Sequence, residues 1–219
     1  MSAAQQLDLP PMTFDEFVEF ERHSDVRHEI RDGVLVAMAG GTVEHSDVGG
    51  NLRTAFGTAY QAGGCKPNDN DLMIHQPGPD RGAYPDASVT CGPQEFREET
   101  DPDERRVLLN PTLVVEVLSK NTASFDQTEK LEGYLSVPSL RQVVFVDPTT
   151  PWVRVITRTD SGFSAVTVTD MTADVVLQSI SLNVPMERIY FGVETTPRSR
   201  IRDLRRGDDR PPDNVLSTD

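Results

Sequence analysis

Glu116 stands in the middle of the most apolar run of the chain, Thr112-Leu-Val-Val-Glu-Val-Leu118. An ionised carboxylate there is costly to bury, so it must be protonated, paired with a basic side chain or bound to a cation. Asp86 follows Pro85 at the head of the preceding β-prone run, Pro85 to Thr90. If the two runs form neighbouring strands, both carboxylates meet at one edge of a sheet, where like charges repel unless something positive lies between them. All-oxygen ligation by two carboxylates suits Mg2+ or Mn2+, which keep several waters and bridge to a substrate phosphate. Such a cation polarises a phosphodiester and lowers the pKa of an attacking water, which is hydrolytic chemistry. A fixed positive charge near the phosphorus completes such a site, and Lys130 is the candidate. Asp126, Lys130 and Tyr134 recur at four-residue steps, so on a helix they share one face.

Each of these residues also has a plainer reading. Glu116 could form a buried ion pair with an arginine or lysine, and Asp86 could simply open a strand or a turn. Asp126 and Lys130 could be an exposed helical pair worth about 0.2–0.5 kcal/mol. Tyr134 could pack with its hydroxyl hydrogen-bonded.

The elements that must position these groups are readable along the chain. Thr13-Phe-Asp-Glu16 has the spacing of a capping box, with Met12 and Phe17 as its hydrophobic staple, and predicts a helix through about Glu21. Asp32-Gly33 between two β-prone runs signals a hairpin, because both residues tolerate the positive φ of a type I′ turn. From Thr42 the apolar residues Val48, Leu52, Ala55, Phe56 and Ala59 recur at helical steps until Gly63-Gly64. Strands follow at Asp71 to His75 and Pro85 to Thr90, separated by the turn-rich QPGPDRGAY. The Glu116 run has the length and β-branching of a central strand covered on both faces. A helix over about Ser124 to Ser136, closed by Pro138, and the buried strand Gln142 to Asp147 complete a βαβ-like crossover. Beyond Pro151, the runs Trp152 to Thr157, Phe163 to Thr169 and Val175 to Ile180 read as antiparallel strands. The sum is α/β with a mixed sheet.

The 219 residues, 37% hydrophobic and 26% charged, suit one globular domain with tails. The division is a flexible N-terminus over 1–11, a domain over 12–194 and a disordered tail over 195–219. That tail has almost no apolar periodicity and mixes six arginines with five aspartates. The arginines from Arg198 to Arg210 could touch phosphate, although a solvated tail is the plainer reading. No run approaches the length of a membrane helix and MSAAQQLDLPPM lacks a secretion pattern, so a cytoplasmic protein with no membrane contact is expected. Cys65 and Cys91, in a loop and at a strand end, are expected as free thiols. The net charge of −14 argues against broad attraction to nucleic acid. A divalent cation held among the acids would invert that field locally.

Four segments together resemble a known family: YPDASV, NPTLVVEVLS, FDQTEKLEGY with its exit SVPSL, and HEIRDGVLVAMAGGTVEHS. They are similar to the Uma2 family of restriction-endonuclease-like proteins over roughly Met12 to Tyr190, within the PD-(D/E)XK nuclease superfamily. The resemblance implies a restriction-endonuclease-like fold, a mixed β-sheet flanked by helices, with Mg2+ (or Mn2+) dependence, DNA as substrate and a homodimer. Pro85-Asp86 then matches the PD element and Glu116 the acid of E-x-K. The position two residues on is Leu118 rather than lysine; in the family the lysine comes from the following helix, where Lys130 matches. The resemblance also makes Glu29 a further site acid and His45 a neighbour of the site. By their surroundings alone, Glu29 could pair with Arg27 or Arg31, and His45 could satisfy the first turn of its helix. Leu118 and the acidic body keep a second reading open, a non-catalytic nucleic-acid-binding or protein-binding regulatory module, and an RNA target is a third.

Overall fold

In the computed structural model, residues 5–38, 40–78, 80–98, 107–119 and 125–196 are described. The tail expected from Thr195 lies, beyond Thr196, outside the described residues.

Near the N-terminus, local sequence signals decide the structure. Gln5–Gln6 form a short strand, β1. Thr13 caps α1 (Phe14–Arg22) through a complete capping box, its own N–H donating to the Glu16 carboxylate at 2.8 Å. β2 (His28–Arg31) and β3 (Val34–Ala37) form a hairpin whose turn residues Asp32 and Gly33 have φ of 50° and 84°, as a type I′ turn requires. α2 (Val43–Ala62) starts at its N-cap Thr42 and stops at Gly63, where φ is 113°.

The middle of the chain supplies β4 (Cys65–Asn68), β5 (Met73–Gln76), β6 (Arg81–Ala83), β7 (Ala87–Cys91), β8 (Val107–Leu108) and β9 (Leu113–Val117). Then come α3 (Phe125–Leu135), β10 (Gln142–Val146), β11 (Val153–Thr159), β12 (Gly162–Val168), β13 (Asp174–Leu177), β14 (Leu182–Pro185) and the short α4 (Met186–Ile189).

These strands divide over two six-stranded sheets and a small hairpin. One sheet has the order β1-β3-β2-β6-β5-β8, the other β12-β11-β10-β9-β7-β4, and β13 pairs only with β14. The second sheet is mixed: β9 and β10 run parallel around α3, and the neighbouring pairs are antiparallel. The chain passes between the sheets repeatedly, and between β6 and β7 it does so through Tyr84, Pro85 and Asp86.

Alternation along β9 sorts its side chains between two cores. Leu113, Val115 and Val117 pack with Val48, Leu52 and Phe56 of α2 and with the β13–β14 hairpin. Val114 and Leu118 pack with Tyr134, Val143 and Phe145, and with Ile74, Ala83 and Leu108 of the first sheet. Glu116 alternates with this second set, so it faces α3 and the first sheet from a fully apolar strand. A third core joins Phe14, Phe17 and Val18 of α1 to Ile30, Leu35, Met73 and Tyr84.

The expectation of two free thiols is corrected, because Cys65 and Cys91 form a disulfide. The reason is the unanticipated strand β4: Cys65 pairs directly with Cys91 in the β4–β7 register, which sets the two Cα atoms 3.9 Å apart. Among the described residues, no helix is long and apolar enough to cross a membrane.

Candidate active site at the junction of the two sheets

Asp86 and Glu116 come from adjacent strands. β7 and β9 pair antiparallel with Ala87 opposite Val115, so one further step brings Asp86 beside Glu116. The chain bends at Asp86, and its Oδ2 accepts the Val117 N–H at 2.6 Å. That bond fixes the carboxylate across the end of the pair. The Asp86 carbonyl in turn accepts from the Arg53 guanidinium at 3.2 Å.

Glu116 is only 5% exposed, and both of its oxygens are engaged. Tyr134 Oη donates to Oε1 at 2.5 Å and Lys130 Nζ donates to Oε2 at 2.9 Å. Lys130 Nζ also donates to Glu29 Oε1 at 2.9 Å, so one ammonium joins an acid of each sheet. Glu29, on β2, receives a second charged bond from Arg31 at 2.7 Å. Both readings of Glu29 are thus realised, the pair with Arg31 and the place in the cluster, whereas Arg27 turns away to Asp71. The spacing of Lys130 and Tyr134 on α3 does what their shared face implied: both reach back to the strand that precedes their helix. Asp126 lies on the same helix, but its side chain is outside the described residues.

His45 sits in the first turn of α2, where its N–H is accepted by Thr42 Oγ1 at 3.2 Å. Its ring Nε2 lies 3.4 Å from Asp86 Oδ1. The helix-start role and the site-neighbour role therefore coexist. Gly41 makes room for this ring, since a Cβ there would stand 2.8 Å from His45 Nδ1.

The electrostatics follow from two acids meeting one lysine, with Asp86 close to Glu116. Burial pushes the Glu116 carboxyl up to about 7 against the pull of Lys130, with Asp86 and Glu29 adding to the rise. Burial acts the same way on Glu29, but Lys130 and Arg31 outweigh it and hold that carboxyl below its usual range. Burial also opposes charge on Lys130, yet Glu116 and Glu29 more than compensate and raise its pKa, so it stays an ammonium. Burial and the same acids raise the Tyr134 phenol well above its usual value. His45 is lowered by burial but raised further by Asp86, and the net direction is up. The pocket around Asp86 favours positive charge.

Residues that the sequence reading had not placed also touch the site. Arg53 follows His45 and Gly49 at four-residue steps on α2, a pattern visible in the sequence once His45 is singled out. Gln76, at the end of β5, is 5% exposed and lies against α3 at Gly133. A lone glutamine in a short strand carries no sequence signal of that kind.

The comparisons with known proteins agree with this architecture. Residues 14–185 match the model of the Uma2 family, described as "Putative restriction endonuclease". An uncharacterized protein of Synechocystis sp. (strain ATCC 27184 / PCC 6803 / Kazusa), slr1290, is 30% identical over 185 residues, covering 84% of this chain and 94% of the relative. A second uncharacterized protein of the same organism, sll1609, is 23% identical over 136 residues, covering 62% of this chain and 75% of the relative. The crystal structure of a putative nuclease belonging to DUF820 from Anabaena variabilis ATCC 29413 superposes with a TM-score of 0.67 at 18% identity. The match covers 82% of this chain and 97% of that one, and shows a shared fold. With the family model spanning most of its length and its strands and helices arranged as in that structure, the chain belongs to the Uma2 family and has a restriction-endonuclease-like fold.

Proposed function

We propose that the chain is an Mg2+- or Mn2+-dependent endonuclease that hydrolyses DNA phosphodiester bonds at the site built by Asp86, Glu116, Lys130 and Glu29. One observation carries the reading. Lys130 Nζ bonds both Glu116 and Glu29 at 2.9 Å, and Asp86 stands beside Glu116 at the adjoining strand end.

The donor chemistry fits a hard divalent cation. Asp86 and Glu116 offer oxygens only, and the His45 ring beside Asp86 Oδ1 is held toward its charged form despite burial. Two features oppose the fit. Among the described residues, no three His, Cys, Asp or Glu side chains are already arranged as a metal-holding group. A cation that takes Glu116 as a ligand also competes with Lys130 and Tyr134 for its oxygens. Asp86 and Glu116 would hold the cation, which when bound supplies the Lewis acidity that polarises the phosphodiester and favours ionisation of water.

The chain's own groups divide the remaining work. Lys130 serves as a fixed positive charge for the phosphoryl oxygens rather than as a base, since two carboxylates keep its proton on Nζ. Glu29 and Tyr134 hold Lys130 and Glu116 in place, and the Val117 N–H orients Asp86. In the overall reaction a water oxygen bonds to phosphorus, the bond to the leaving sugar oxygen breaks, and that oxygen takes up a proton. Cutting both strands calls for two such sites, which a two-fold dimer of this chain provides.

The test is cleavage of plasmid DNA by purified protein in Mg2+ or Mn2+. The wild-type protein should nick or cut, and Asp86→Ala and Glu116→Ala should abolish cutting while circular dichroism shows a folded chain. Cutting that survives both substitutions defeats the assignment. The second reading, a non-catalytic binding module on this fold, is favoured by Leu118 in the position of the usual lysine and by the full engagement of Glu116. It predicts nucleic-acid or protein binding with no dependence on a divalent cation.

A further inference from the structure

Next to the acid cluster, an open cleft lies against β2, β5, β6 and α3. Its lining includes Glu29 and Lys130, which it shares with the cluster, together with Arg31, Asp32, Gln76 and Arg81. Three cations thus line the cleft beside two acids, with Glu116 behind Lys130 as a third, on a chain whose net charge is −14. Arg81 is braced by Asp32, which takes both Nε and one terminal nitrogen, and Arg31 is braced by Glu29. Their guanidinium groups are therefore held in place along the cleft rather than free to sweep through solvent.

Gln76 is the uncharged polar group of the lining. It is 5% exposed, it lines the cleft, and its side chain reaches α3 at Gly133. An uncharged amide there adds one hydrogen bond for a ligand that the neighbouring guanidinium groups attract. Its place is made by Gly133: any side chain there would put a Cβ 2.2 Å from Gln76 Oε1. An amide donor flanked by arginines and a lysine suits an anionic oxygen, and guanidinium groups match phosphate geometry.

We propose that this cleft is a phosphate subsite for the nucleic-acid strand. It holds a phosphodiester adjacent to the one at the Asp86–Glu116 cluster, with the Gln76 amide, Arg81 and Arg31 as its contacts. The inference rests on the nuclease reading and adds the path of the strand, which leaves the acid cluster past Lys130 and along β2 and β6.

The experiment is fluorescence anisotropy of a labelled DNA oligonucleotide, single-stranded and duplex, titrated with protein in Ca2+ over a series of salt concentrations. Arg81→Gln should weaken binding about tenfold and lower the slope of log affinity against log salt by about one, as loss of one phosphate contact requires. Gln76→Leu should weaken binding by about threefold to tenfold without changing the slope, because an uncharged hydrogen bond is lost. Both should retain the Mn2+ titration of the wild-type protein. Because Arg81 also bonds the β2–β3 turn through Asp32, Arg31→Gln provides a second charge variant if Arg81→Gln does not fold. Folded variants that bind with wild-type affinity and salt slope overturn the subsite and leave the nuclease assignment standing. A wild-type protein that binds neither form of the oligonucleotide overturns both.

Discussion

At Glu116 the cost of burying an acid in an apolar strand is offset by direct partners. It has the buried lysine partner of the plainer reading, and that lysine is also bonded to Glu29 from the other sheet. The cost of burial made Glu116 legible from the sequence. Asp86 and Lys130 were legible only through the family resemblance, because a Pro-Asp pair and a helical lysine are common in many settings. Gln76 and Arg53 could not be read, since what buries the one and aims the other is the approach of a distant helix. Removing the shared cation strands two buried acids, so Lys130→Met should destabilise the fold by about 2–4 kcal/mol in urea at neutral pH. Adding Glu116→Gln should recover part of that loss, whereas equal stability of the single and double variants would show that the pair is not energetically joined. Tyr134→Phe deprives Glu116 Oε1 of its donor and should cost about 1–3 kcal/mol in the same measurement.

At the scale of elements, the strong local signals and the structure agree where a cap or turn residue specifies geometry: the capping box at Thr13, the Asp32-Gly33 turn, and Thr42 and Gly63 at the ends of α2. The strands that were not anticipated are short. β6 is Arg-Gly-Ala, β8 is Val-Leu, and β4 contains Pro67, which a strand tolerates at a sheet edge, where β4 lies. Their tertiary partners stabilise them, so no periodicity marks them in advance. Missing β4 also hid the disulfide. The Cys65–Cys91 bond closes a separation of 26 residues, and its loss in Cys65→Ser/Cys91→Ser should cost about 3 kcal/mol. Thiol titration of the unfolded, unreduced protein should find no free thiol. Gly133 tests the packing of α3: alanine is the better helix former, yet its Cβ would collide with buried Gln76, so Gly133→Ala should lower stability by about 1–2 kcal/mol in thermal or urea unfolding. A stabilised variant would mean that Gln76 moves aside freely.

Across the whole molecule, the charge of −14 and the proposed nucleic-acid substrate pull in opposite directions. The structure locates where they can be reconciled. Asp86 and Glu116 at one end of the β7–β9 pair meet Glu29 of the other sheet through Lys130, where a divalent cation would offset them, and arginines line the cleft beside it. The α/β class, the crossover around α3 and the antiparallel C-terminal strands were readable from periodicity. The division into two sheets was not, because the chain alternates between them from β4 to β9 through short strands that no periodicity marks. The central claim is that Asp86 and Glu116 together hold one divalent cation, and calorimetric titration of Mn2+ into the purified protein tests it most directly. One site per chain, saturating by millimolar metal and lost in both Asp86→Asn and Glu116→Gln, is the predicted result. No heat of binding at millimolar Mn2+, or binding that persists in both variants, would contradict it.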